Sequence, residues 1–144
     1  MPVGSVVLTP GTPPVSCDLP TLDLSSETPR ESDWIPVVSL TISRSASQLP
    51  EPVLLVLAGH HAVHAPGLGF AQRSARRSIA GYLLVDPVLP SATAQDWPDA
   101  PVTVAITPDA DDDSRSAGLA ARLRGWEVLE TPFVEALGAI VHRP

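Results

Sequence analysis

The chain has 144 residues, a formal charge of -7, and 44% hydrophobic against 17% charged residues, which fits one globular domain and excludes a wholly disordered or charge-dominated polypeptide. Seventeen prolines in 144 residues, against a usual share of about 5%, exclude long uninterrupted helices, because proline fixes φ and donates no backbone hydrogen bond. An acidic balance disfavours a nucleic-acid or anionic-membrane partner, since both require a basic surface.

Residues 1–30 hold six prolines and read mostly as loop, with short strands at residues 6–8 and 15–17. Ser32 or Asp33 would cap a helix that begins at Trp34 and tolerates Pro36 in its first turn. Trp34, Val37 or Val38, Thr41 or Ile42, Ser45 and Leu49 would then share a face. The β-branched run at residues 35–42 also fits a strand, so both forms stay open.

The apolar run 53–57, bounded by Pro52 and Gly59, suits a strand buried on both faces of a parallel sheet. Residues 82–85, ending in Asp86-Pro87, repeat the pattern, as do residues 102–106, ending in Thr107-Pro108-Asp109. Residues 62–77 are long enough for a helix that Pro66, Gly67 and Gly69 weaken. Its Arg73, Arg76 and Arg77 form the basic cluster of the chain and read as a solvated face. Residues 114–124 form a better helix, with Leu119, Ala120 and Leu123 as its apolar face and Gly125 as its stop. A short strand follows at residues 126–129. Pro132 then starts a last helix carrying Phe133, Leu137, Ile140 and Val141. Strands alternating with helices give an α/β class, with residues 1–144 forming one domain around a small, mostly parallel sheet of about five strands.

Ligands of an open parallel sheet gather at the carboxyl ends of its strands. Those ends carry Thr9-Pro10-Gly11, Gly59-His60-His61-Ala62-Val63-His64, Asp86-Pro87 and Asp109. The approach Val-Leu-Leu-Val-Leu-Ala-Gly59-His60 resembles the α/β-hydrolase superfamily, where such a strand runs into Gly-x-Ser-x-Gly and a strained turn lifts the serine above the sheet. Residues 82–90 are similar to the family's following strand, and residues 97–109 to the strand whose end supplies the triad acid. Residues 15–20 resemble its Pro-Asp-Leu-Pro loop. The resemblance covers most of residues 3–143 and implies a trimmed hydrolase-like core without a lid. A trimmed sheet would expose an edge, which favours a homodimer or a partner subunit.

The chain departs from that pattern where chemistry is decided. His61 stands at the serine position and Val63 at that of the second glycine. Glu130-Thr131-Pro132 holds no histidine where the family places the triad base, and His142 comes only after the last helix. Asp109 matches the acid by register, with Asp111 or Asp112 as alternatives. Without the serine alkoxide no acyl-enzyme can form. The expectation is therefore a non-hydrolytic protein that binds a small molecule or peptide, or an accessory subunit. The alternatives are an isomerase, epimerase or cyclase using His61 with an acid, and a residual esterase.

The candidate catalytic residues are His61, Asp109 and Asp86, and the candidate ligand-binding residues are Pro10, Gly11, Gly59, His60, Ala62 and His64. His60 and His64 would lie at i, i+4 of a helix. They lack the glutamate of His-Glu-x-x-His, and only Asp86 or Asp109 could add a third ligand, so neither a metal nor another cofactor is expected. Asp86 also reads as a plain turn residue, the acidic run 109–113 as a solvated loop or helix cap, and Trp34, Trp97 and Trp126 as packing. Cys17 is the sole cysteine and cannot form an internal disulfide. The N-terminus has no secretory pattern and no apolar run spans a bilayer, which makes a cytoplasmic location the default.

Overall fold

In the computed structural model, which describes residues 2–91 and 97–143, the apolar runs lie side by side in one six-stranded sheet whose neighbouring strands are all parallel. The elements in chain order are β1 (Ser5–Leu8), β2 (Thr21–Asp23), α1 (Trp34–Arg44), β3 (Val53–Ala58), α2 (Ala65–Ser74), β4 (Ile79–Val85), β5 (Val102–Ala105), α3 (Asp112–Leu123), β6 (Glu127–Leu129) and α4 (Phe133–Val141). The sheet order is β2-β1-β3-β4-β5-β6. The fold is α/β, as expected, with one strand more than the sequence suggests. No helix among the described residues is long and apolar enough to cross a membrane.

β3 shows why a continuous apolar run is needed at the sheet centre. Its side chains alternate: Val53, Leu55 and Leu57 face a core with α1, α2 and α3, whereas Leu54, Val56 and Ala58 face a second core with α4. All six residues of β3 are buried, and each such Val or Leu stabilises the fold by about 1.5–3 kcal/mol.

The segment 35–42 is helical. Trp34, Val38 and Ile42 are fully buried at i, i+4, i+8, while Val37 is 43% exposed. That spacing suits one helix face, whereas a strand would bury alternate residues. Pro36 falls in the first turn, where no intrahelical N–H is required.

Three expectations need correction. Residues 15–17 form no strand; Val15, Cys17 and Leu19 instead pack as loop against the core of α4. The outer strand is β2, paired in parallel with β1 through Val7 and Leu22. It is exposed and three residues long, so no apolar pattern announces it. On α3 the buried residues are Ser114, Gly118 and Ala121, and Leu119 and Leu123 point outward at 60% and 83% exposure. The helix sits too close to the sheet for larger groups: a Cβ on Gly118 would come 2.9 Å from Cγ1 of Ile106. Finally, the basic cluster is not uniformly solvated. Arg73 Nη1 lies 2.7 Å from Asp99 Oδ2, with side-chain exposures of 34% and 17%.

The connections leaving β1 and β3 run in opposite directions along the sheet, one to β2 and the other to β4. Their carboxyl ends therefore frame a topological switch point, the usual location of a ligand crevice in such sheets.

Candidate functional site

The loop after β1 folds back tightly. Thr9 Oγ1 donates to Val56 O at 2.7 Å, Thr12 Oγ1 donates to Thr9 O at 2.9 Å, and Gly11 takes a left-handed φ of 90°. Across the crevice, β3 ends in a 3-10 turn, Gly59–His64, before α2 begins. Gly59 has φ 58° and supplies the sharp exit from the strand. The hydrolase resemblance would place that strain at residue 61, yet among the described residues His61 is not one of those with positive φ.

The 3-10 turn also changes which histidines act together. Residues three apart are eclipsed in such a turn, so His61 and His64, rather than His60 and His64, share a side. Their rings stack on Trp34, the first residue of α1, with centroids 5.8 Å and 4.5 Å away. Glu31, just before α1, reaches both rings: Oε1 is 2.5 Å from His64 Nε2, and Oε2 is 4.0 Å from His61 Nδ1. Glu31 is thus the acid that meets the histidines. The expectation that only Asp86 or Asp109 could supply a third ligand is corrected accordingly.

Burial holds the His61 imidazole below the usual histidine range, and neighbouring His60 adds to this. The Glu31 carboxylate pulls the other way, and His64 lowers the value further. His61 Nδ1 is shielded from solvent and has no hydrogen-bond partner among the described residues.

The other candidate residues lie apart from this cluster. Asp86, at a left-handed φ of 43°, accepts Thr107 N–H at 2.8 Å on Oδ1 and the Thr107 hydroxyl at 2.5 Å on Oδ2. It bridges the ends of β4 and β5, and no ion pair or hydrogen bond joins it to His61 among the described residues. Asp109 is exposed and borders a depression of about 420 Å³ with Pro13, Thr107 and Phe133. Asp111 caps α3 by accepting Ser114 N–H at 2.8 Å, the bland alternative for the acidic run. His142, past α4, is 71% exposed and 3.9 Å from Asp18. Pro10 and Ala62 are buried and act as walls.

On the side of the β3 turn away from Trp34 runs a groove of about 580 Å³, bordered by Gly59, His60, Asp86, Leu89, Ser114 and Arg124. Val88 N–H donates to Gly59 O at 3.0 Å, and both residues line the groove. Ser114 Oγ within it donates to Asp86 O at 3.1 Å.

Glu31 and Trp34 are the site residues that sequence reasoning misses. The His64–Glu31 contact spans 33 positions, and no local motif encodes it. The available signal was Trp34 at the start of a helix that must pack beside the end of β3. Compared with known proteins, the chain matches no family model, no curated protein sequence and no solved structure.

Proposed function

We propose that the chain is an α/β-hydrolase-like protein without acyl-transfer chemistry, which binds a small molecule or peptide at the carboxyl ends of its strands, alone or as the accessory subunit of a catalytic partner. The observation that carries this reading is what surrounds the His61 ring at the end of β3. His61, which the resemblance puts at the serine position, faces Trp34, Gly11 and Glu31. An imidazole there cannot supply the serine alkoxide by which that family forms its acyl-enzyme. The groove beside His60 has a volume of about 580 Å³, within the range of small-molecule sites. Its lining combines the apolar Pro87, Leu89 and Ala120 with the polar His60, Ser114 and Arg124. A cytoplasmic setting without nucleic-acid partners accompanies this proposal.

Three measurements test it. The protein should not be labelled by a fluorophosphonate and should not hydrolyse p-nitrophenyl esters above background. An NMR fragment screen should move the amides of Gly59, Val88 and Ser114, and Leu89→Arg should abolish those shifts. Ester turnover that disappears in His61→Ala would restore the residual-esterase reading and defeat this one.

The runner-up is a proton-transfer enzyme, an isomerase, epimerase or cyclase that uses His61 with an acid. It is favoured by the His61 ring, whose Nδ1 lies 4.0 Å from Glu31 Oε2 and whose pKa burial lowers. Under that reading, exchange of a substrate's acidic C–H with solvent deuterium would vanish in both His61→Ala and Glu31→Gln.

A further inference from the structure

We propose that Glu31, His61 and His64 form a binding site for one divalent transition-metal ion, with zinc as the reference ion. One ligand atom from each residue lies within 4.8 Å of the others. Zinc–nitrogen and zinc–oxygen bonds of about 2.0–2.2 Å place neighbouring tetrahedral ligand atoms about 3.3 Å apart. Glu31 presents one carboxylate oxygen to each ring, Oε1 at 2.5 Å from His64 Nε2 and Oε2 at 4.0 Å from His61 Nδ1.

A metal-free alternative explains part of this cluster. A simple ion pair accounts for Glu31 and His64, and Trp34 stacking accounts for the ring planes. It leaves His61 Nδ1 shielded from water and without a hydrogen-bond partner among the described residues, directed toward the same carboxylate. Buried polar atoms are nearly always satisfied, and an ion between His61, His64 and Glu31 satisfies this one.

The donor set selects the class of ion. Two imidazole nitrogens and one carboxylate suit zinc and its first-row neighbours, whereas magnesium and calcium take oxygen ligands. The rings are held rigidly by two features, their stacking on Trp34 and their placement on one 3-10 turn. His61 and His64 side chains are 20% and 14% exposed, against 59% for Glu31. The carboxylate therefore forms the solvent side, the route by which an ion enters and a water completes its shell. This site does not depend on whether the groove beside His60 binds a ligand.

The test uses the whole chain, stripped with EDTA and dialysed, then titrated calorimetrically with zinc chloride and spectroscopically with cobalt(II). One ion per chain is expected, with the visible d–d bands of a low-coordinate cobalt site that zinc displaces. Glu31→Gln and His64→Ala should each weaken binding at least about tenfold, and the exposed His142→Ala should leave it unchanged. Far-UV circular dichroism establishes that the variants are folded. Should His64→Ala unfold, Glu31→Gln, which keeps shape and touches only the exposed carboxylate, decides the matter. Failure of the native chain to bind zinc stoichiometrically overturns the proposal. So does binding that Glu31→Gln leaves intact, or that His142→Ala removes.

Discussion

The imidazole of His61 packs directly on Gly11: a β-carbon at position 11 would come 2.7 Å from Cδ2 and 3.1 Å from Nε2 of the ring. The loop after β1 and the turn after β3 are thus fitted to each other at the switch point. Two separate reasons require glycine here, the close approach and a φ of 90°.

Gly11→Ala should therefore be destabilising by about 1–3 kcal/mol and should displace the His61 ring. Urea unfolding reads the first effect, and the His61 ring resonances in an NMR spectrum read the second. An alanine variant with unaltered stability and ring shifts would mean that the crevice is looser than this contact requires.

Asp86 offers a way to separate scaffold from chemistry. Both of its carboxylate oxygens are occupied by Thr107, and its own carbonyl accepts Ser114 Oγ. Asp86→Ala should cost about 1–3 kcal/mol, because it leaves the Thr107 donors unpaired, and Thr107→Val about 1 kcal/mol. In a double-mutant cycle the two effects should fall short of their sum. A catalytic acid would behave in the opposite way, losing activity with stability intact.

Gly69 of α2 carries a packing prediction that runs against helix propensity. Alanine is a better helix former than glycine by about 1 kcal/mol, yet a Cβ at position 69 would come 1.9 Å from the Tyr82 hydroxyl. That hydroxyl donates to Asp99 Oδ1 at 2.7 Å, and Asp99 in turn pairs with Arg73. Gly69→Ala should consequently destabilise by about 1–3 kcal/mol, the usual result of overpacking. Thermal denaturation would show a lowered Tm, and a raised one would contradict the contact.

The same buried phenol gives a pH signature. Burial raises the Tyr82 pKa well above its ordinary value, and the hydrogen bond and charge of Asp99 raise it further. A raised pKa means that the folded state holds its proton longer. This contribution to stability is full below the ordinary tyrosine pKa and is lost as pH rises through the folded value. Tyr82 is the sole tyrosine, so ultraviolet titration reports it alone. Phenolate absorbance should appear only when the protein unfolds in alkali, and native-state ionisation at the ordinary value would refute the burial argument.

How far the sequence carries the fold depends on what each element buries. β3 and β4 were legible because their apolar runs face two cores, whereas the β-branched run of α1 fitted helix and strand alike and only the burial of Trp34, Val38 and Ile42 at helical spacing decides it. β2 was not legible, since Thr21 and Asp23 are exposed and the strand exists by pairing with β1. The packed face of α3 was hidden because Ser114, Gly118 and Ala121 are chosen for smallness, and Leu119 and Leu123 drew attention to the wrong side. Within the site, the His-rich turn was visible, but its helical period was not. A 3-10 turn pairs His61 with His64 where an α-helix would pair His60 with His64. Glu31 lay beyond any local signal, because its position is fixed by how α1 docks beside β3.

Asp111 closes the set, since its role as a cap can be separated from its charge. Its carboxylate accepts Ser114 N–H at 2.8 Å, and this backbone hydrogen bond holds its pKa below the usual carboxylate range. A depressed pKa contributes stability that is present above the ordinary carboxylate value and is lost as pH falls through the folded one. Asn caps about as well as Asp, whereas Ala does not. At neutral pH, Asp111→Asn should accordingly keep the Tm near that of the parent, and Asp111→Ala should lower it by a few degrees. On acidification the parent should lose part of its advantage over Asp111→Ala, while the Asn variant, with no proton to take up at this position, should keep its own. Melting curves across acidic pH check both halves, and an advantage over Ala that stays constant in the parent would assign the cap to the loop backbone instead of the carboxylate.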